Sequence, residues 1–347
     1  MARTDATRAK AFSGQTIYVT AVFAACALLL GYVFLFRDEG TPLEAQIGRT
    51  GRSLSQIPFD GAAALNNLKQ LCDLGPRTSG SAGMQRQQTL LAEHFEKLGA
   101  KVERQEFQIA HPIDGTPVML ANLIAHWHPD KKERLLLAAH YDTRPYPDRD
   151  PLNPRGRFVG ANDGASGVAL LMEMGRHMPQ LAGRYGVDFV LFDGEELVFR
   201  DQPPPSDPYF LGSKHFAQQY IAKPPGHRYR LGVLLDMVGD ENLALLAEPT
   251  SMKYAGTTVR DIWATARRLG VREFINQTMA TAVNDDHVPL NEIARIPTCD
   301  LIDFDYPYWH TQDDLPAHCS ALSLARVGWV VHEWLKVAVG KPVGGKE

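Results

Sequence analysis

The chain predicts an α/β fold: a mixed, largely parallel central sheet with helices on both faces, preceded by one N-terminal transmembrane helix. Three observations carry that expectation. Short runs rich in β-branched and aromatic residues, such as Val187–Phe192 between Gly186 and Gly194, have the length of fully buried parallel strands. Such runs alternate with segments of helical periodicity, the pattern of a sheet covered on both faces. Ile17–Phe36 is almost wholly apolar, and at ~1.5 Å per residue it is long enough to cross a bilayer core of ~30 Å.

The 347 residues are 44% hydrophobic, enough for one large α/β domain or two smaller ones. A net charge of −4 leaves no basic excess, so nucleic acid is not an expected partner. Arg3, Arg8 and Lys10 precede the apolar run and Asp38 and Glu39 follow Arg37, which places the N-terminus in the cytoplasm and the remainder outside. A cleaved signal peptide would have an apolar region of ~7 to 15 residues ending in small side chains. This one ends Phe34-Leu35-Phe36-Arg37, and an uncleaved anchor is the expectation. The organisation expected is therefore a tail and anchor over residues 1–39, a polar stalk over 40–58, and a catalytic domain over 59–342. Cys26 lies in the span. Cys72, Cys299 and Cys319 lie beyond it, allowing at most one internal disulfide, and none stands at zinc-finger spacing.

Ala62–Leu74 and Gln85–Leu98 carry helical spacing on either side of the breaker-rich loop 75–81. Val102–Ile109 and Val118–Trp127 alternate as strands at a sheet edge, and Arg134–Tyr141 is an apolar strand running into His140-Tyr141-Asp142. A loop rich in Pro, Asp and Arg spans 143–159. Asp163 stands where it could cap a helix from Gly164 to about His177, whose small residues suit close backbone approach. After the strand ending in Glu195-Glu196 come a proline-rich insert over 201–208 and a helix near Ser213–Ile221. Gly232–Asp236 is another buried strand ending in an acid. A helix near Val259–Leu269, a strand near Cys299–Phe304 and a closing helix over Ala321–Val339 complete the chain.

His140 and Asp142, Glu195 and Glu196, and Asp236 thus stand at strand ends, with Asp163 opening a helix. In open α/β sheets ligands bind outside the carboxyl ends of the strands, so residues distant in sequence can converge there. Asp285-Asp286-His287 and Trp309-His310-Thr311 add acids and imidazoles in loops. A set of His and carboxylates without thiolate suits Zn²⁺ in a catalytic role. Each residue also has an innocent reading: Asp163 as a helix cap, Asp236 as a strand terminus, Trp309 as core. His126, His128, His177, His215 and His318 are read as surface or core histidines and left out of the site.

The motifs His140-Tyr141-Asp142, Gly160–Gly167, Phe192–Glu196, Leu235–Gly239 and His310-Thr311 together resemble the zinc aminopeptidase family that also contains glutaminyl cyclases. The resemblance runs from about Leu68, with Gly75-Pro76-Arg77 near its front, to the final helix. It implies that Asp163, Glu196 and His310 hold zinc and that Glu195 is the general base and acid. His140 and Asp236 would complete a second metal site in an aminopeptidase, or bond to the ligands of a single zinc in a cyclase. Asp285-Asp286-His287-Val288-Pro289, Trp309 before His310, and the insert after Glu196 resemble the cyclase branch. Gly164-Ala165-Ser166-Gly167 is closer to the aminopeptidase pattern, and the insert lacks the Trp of animal cyclases, with only Phe199 and Tyr209 nearby. The cyclase branch is the expectation, with Asp285 and Asp236 in a network around Glu195 and with Trp309, Asp286 and Phe199 at the substrate pocket. Peptide N-termini would be the substrates. The alternatives are a two-zinc aminopeptidase and a metal-free receptor.

Overall fold

We describe a computed structural model, which covers residues 52–181, 183–199 and 209–340. The apolar runs do form a six-stranded sheet: β1 (Lys101–Ala110), β2 (Pro117–Trp127), β3 (Glu133–His140), β4 (Gly186–Phe192), β5 (Arg228–Asp236) and β8 (Thr298–Ile302). Their spatial order is β1-β2-β4-β3-β5-β8. β4, β3, β5 and β8 are parallel, while β2 runs against both β1 and β4. The sheet is therefore mixed and mostly parallel, as expected. β1 and β8 are the edge strands; β2 lies one place in from β1.

Among the described residues seven helices accompany it: α1 (Gly61–Asp73), α2 (Ala82–Lys97), α3 (Ala165–Met174), α4 (Leu211–Ala222), α5 (Pro249–Leu269), α6 (His287–Glu292) and α7 (Ala321–Gly340). Successive residues of a strand point to opposite faces, and β3 divides its side chains accordingly. Leu135, Leu137 and Ala139 join the core containing α1, α2, α3, α5 and α7. Leu136 and Ala138 pack with Phe216 of α4 and Leu290 of α6 on the other face. Two strands were not anticipated, β6 (Leu245–Ala247) and β7 (Phe274–Thr278), which pair in parallel as a separate small sheet.

Three expectations shift in detail. Asp163 does not cap α3: the cap position is Gly164, at φ 92°, and no side chain bonds the first turn. The helix also ends at Met174 and tightens into a 3₁₀ turn over Gly175–Gln180, which contains Pro179. α5 starts ten residues earlier than its periodicity signalled, with a kink at Ala255. Residues 52–58, read as the end of a stalk, lie against the domain: Ile57 is buried and the Arg52 guanidinium sits over the Trp329 ring. Cys72, Cys299 and Cys319 are buried and unpaired. The anticipated span over 17–36 and the insert over 201–208 lie outside the described residues; among those described, no helix is long and apolar enough to cross a membrane.

Candidate metal and catalytic site

The carboxyl ends of β3, β4 and β5 deliver His140, the 193–196 turn and Asp236 to one end of the sheet. Gly167 lets α3 press against β5, since a Cβ there would collide with the Leu235 carbonyl oxygen. Gly164 likewise has no room for a side chain: a Cβ would come 2.8 Å from Asp142 O and 3.1 Å from His140 Cε1. Asp163 is held at the mouth of that turn by its neighbours, not by a helix cap.

Buried carboxylates fix the backbone of the site. Asp142 accepts from the amides of Glu195 and Glu196 at 3.1 and 3.0 Å. Asp314 accepts from the amides of Asn162 and Asp163 at 2.7 and 3.1 Å and from the Tyr306 hydroxyl at 2.9 Å. Asp193 accepts from Ser79 Oγ and Ala121 N. Arg77, fully buried, donates to the carbonyls of Val159 and Gly160 at 2.7 and 3.0 Å, bracing the approach to Asp163. Of these Asp142 stood out in the sequence as a strand-end acid, and Asp193 and Arg77 only within the motifs that carry the family resemblance. Asp314 lies four residues beyond His310 and gave no separate signal.

The reactive groups converge within these supports. His310 Nε2 is 2.8 Å from Glu196 Oε1 and 3.5 Å from Asp163 Oδ2, while its Nδ1 faces Asp148 Oδ1 at 3.2 Å. That carboxylate orients the ring so that Nε2 points into the site. His140 Nε2 lies 3.2 Å from both Asp163 Oδ1 and Asp236 Oδ1. Donor atoms of His140, Asp163 and Glu196 all fall within 4.8 Å of one another, and Asp163 Oδ2 is buried with no hydrogen-bond partner. Oxygen and nitrogen donors at this spacing, with a buried oxygen left free, fit a zinc ion. His310 adopts a left-handed backbone at φ 56°, as do Phe210 (61°) and Met237 (46°) on the same cavity. Such conformations cost about 1–3 kcal/mol each and collect at functional sites.

The electrostatics separate the two adjacent glutamates. Burial and then the charge of Glu196 hold the Glu195 carboxyl well above its ordinary range. Burial would do the same to Glu196, but His310 and then Arg144 pull it down to about 2. Asp163 is pushed up to about 6 by burial and by Glu196. His310 would be lowered by burial, yet Glu196 and Asp148 carry it up to about 9.

A cavity of about 690 Å³ opens onto this cluster, lined among others by Asp163, Glu195, Glu196, Asp236, Asp285, Trp309 and His310. Burial, then the charge of Asp236, pushes Asp285 up to about 6. Two residues expected at the pocket sit elsewhere. Asp286 is fully buried and accepts from Ser213 Oγ, turned away from the cavity. Phe199 lines a neighbouring cleft with Tyr146 and does not reach the cavity lining. Behind Asp285 the sequence reading missed a second buried group, in which donors of Asp285, His287 and Asp300 approach within 4.8 Å and His287 Nε2 lies 3.2 Å from Glu248.

A doubly covered, mostly parallel sheet bearing carboxylates and imidazoles at its strand ends defines an α/β metalloenzyme. The sequence profile of peptidase family M28 matches residues 122–335, and the chain belongs to that zinc peptidase family as a glutaminyl cyclase-like member. It is 28% identical over 268 residues to the glutaminyl-peptide cyclotransferase-like protein of Bos taurus, spanning 70% of this chain and 67% of the bovine one. The glutaminyl cyclase of Fimbriiglobus ruber superposes with a TM-score of 0.77 at 41% identity, covering 85% of this chain and 99% of that one. A leucine aminopeptidase precursor from Bacteroides thetaiotaomicron superposes at 0.75 with 33% identity, covering 83% and 99%.

Proposed function

We propose that the chain is a zinc-dependent glutaminyl-peptide cyclotransferase, converting the N-terminal glutamine of peptides to pyroglutamate with release of ammonia. The observation that carries this reading is the placing of Glu195, Asp236 and Asp285 on the lining of one cavity beside Trp309. Cyclisation moves a proton from an amine to a leaving nitrogen, and Glu195 and Asp285, buried acids whose affinity for protons is raised, suit that task.

Asp163, Glu196 and His310 would hold the zinc, with His140 and Asp236 bonded behind them. Zinc there supplies polarisation of the γ-carboxamide carbonyl. The α-amine nitrogen attacks the carboxamide carbon, the bond from that carbon to its nitrogen breaks, and Glu195 carries the proton across, so that the nitrogen leaves as ammonia. Asp285 and Asp236 share the cavity lining with Glu195; beyond burial and Glu196, the charge of Asp285 also raises the affinity of Glu195 for the proton. Trp309 walls the pocket beside the forming ring.

One observation favours a second reading. Asp163 directs one carboxylate oxygen toward His140 and the other toward His310, as a residue bridging two metal ions would. In a two-zinc aminopeptidase Glu195 would instead take a proton from the water attacking the first peptide bond. Incubation with a Gln-initiated and a Leu-initiated peptide separates the two by mass. Loss of ammonia without shortening supports cyclisation; loss of one residue from the Leu peptide overturns it in favour of hydrolysis.

We also propose that residues 17–36 anchor the chain, with the N-terminus cytoplasmic and the enzyme domain outside. The length and flanking charges of that segment support this. Protease added to intact cells should remove the domain, and full protection would overturn the topology.

A further inference from the structure

Resting on the cyclase reading, we propose that this enzyme selects peptides in which an acidic residue directly follows the N-terminal glutamine, and that Arg149 reads that carboxylate. The inner part of the cavity is acidic and suited to metal and amine, but its outer lining is different. There the side chains are mostly uncharged, including Thr281, Val283, Asn284 and Phe304, and Arg149 is the exposed charge among them. Arg144 and Asp148 belong to the inner cluster: they meet at 2.9 and 2.7 Å, Arg144 lies 3.6 Å from Glu196, and Asp148 faces His310 at 3.2 Å.

Arg149 has no such partner: among the described residues no carboxylate lies within ion-pair distance of its guanidinium. Its side chain instead lies over the Trp309 ring, 3.8 Å from the centroid. Its backbone amide donates to the carbonyl of His310 at 3.1 Å. The cation is thereby fixed beside a candidate zinc ligand. A guanidinium resting on an aromatic face keeps its in-plane N–H groups available for a carboxylate, which they can grip in bidentate fashion.

Arg149 also marks a junction. It lines both the main cavity and an adjoining cleft of about 290 Å³, which continues past Tyr146, Val198 and Phe199. In that cleft Asp150 is committed to the amides of Leu152, Asn153 and Gln312, and Asp148 to Arg144 and His310, so neither carboxylate engages Arg149. A peptide with its first residue at Glu195 therefore leaves the cavity past an unpaired guanidinium.

The test uses the zinc-loaded full chain and three peptides alike except at the second residue: Gln-Glu, Gln-Ala and Gln-Lys. The expected kcat/KM order is Glu above Ala above Lys, with about three- to tenfold between the extremes, and the spread shrinks as salt is raised. In Arg149→Gln the Glu-to-Lys ratio falls toward one, and Arg149→Lys restores part of it. Calorimetric binding of the matching pyroglutamyl products should show the same order. Because ratios are taken within one protein, partial misfolding of a variant does not mimic the result. Equal turnover of all three peptides, or a ratio untouched by Arg149→Gln, overturns the proposal while leaving cyclisation intact. No ammonia from any of the three overturns the cyclase reading itself.

Discussion

Glu195 and Glu196 are chemically identical and adjacent, yet they meet different surroundings. Glu196 faces His310 at 2.8 Å and stays ionised, whereas burial and its neighbour's charge leave Glu195 inclined to bind a proton. Their side chains leave the 193–196 turn toward different neighbours, Glu196 toward His310 and Glu195 to within 3.9 Å of His140 Nδ1. Glu195→Gln is expected to lower kcat by ~10² to 10⁴ while zinc content stays near that of the parent. Glu196→Gln should lose both metal and rate. Bound zinc and turnover measured on the pair decide it, and the reverse pattern would exchange the roles. Strand-end acids were legible because a charge closing an apolar run has no packing reason to be there. Asp148 and Asp314 were not, since an acid in a polar loop looks the same whether it faces solvent or a histidine. Asp286 misled for the opposite reason: adjacency to Asp285 does not tell which of two carboxylates turns to the cavity and which to Ser213.

Among the elements, the loops between strands set the site and the helices hold the loops. Buried parallel strands announce themselves as apolar runs, and all four were found. α6, with six residues, is too short to show a helical period, and β6 has only three residues. The tie between the loop after α1 and the glycine turn before Asp163 was equally invisible, for it rests on the Arg77 guanidinium meeting carbonyls more than eighty residues away. Replacing Arg77 with Met leaves those carbonyls buried and unpaired. Arg77→Met is expected to cost about 2–4 kcal/mol in urea unfolding and to weaken zinc retention, and an unchanged midpoint would show that water replaces the guanidinium without loss.

Across five of the six strands runs a charged seam that no pattern along the chain signals. Asp188 of β4 meets Arg134 of β3, His126 of β2 at 2.8 Å and the Tyr229 hydroxyl of β5 at 2.6 Å, and His126 reaches Glu103 of β1 at 3.5 Å. Burial would lower His126, but Asp188 and Glu103 raise it to about 9. A histidine raised in the folded state stabilises fully below its unfolded value of about 6.5, and that contribution is lost as pH rises through about 9. Melting temperature should therefore decline between pH 7 and 9.5. His126→Gln should be less stable at pH 7 and should flatten that slope; an identical slope in both would place the titration elsewhere. The same seam ends on β1, and that strand's position has a consequence for solubility. As an edge strand it offers a row of backbone groups with no strand beyond them, the usual template for self-association. Its outward residues are Lys101, Glu103, Arg104 and Glu106, a mixed-sign fringe that any second copy laid alongside would have to desolvate. Replacing Lys101 and Glu106, which take no part in the His126 seam, with Thr and Val should leave the site untouched and increase the formation of β-rich aggregates on concentration, as thioflavin fluorescence would register.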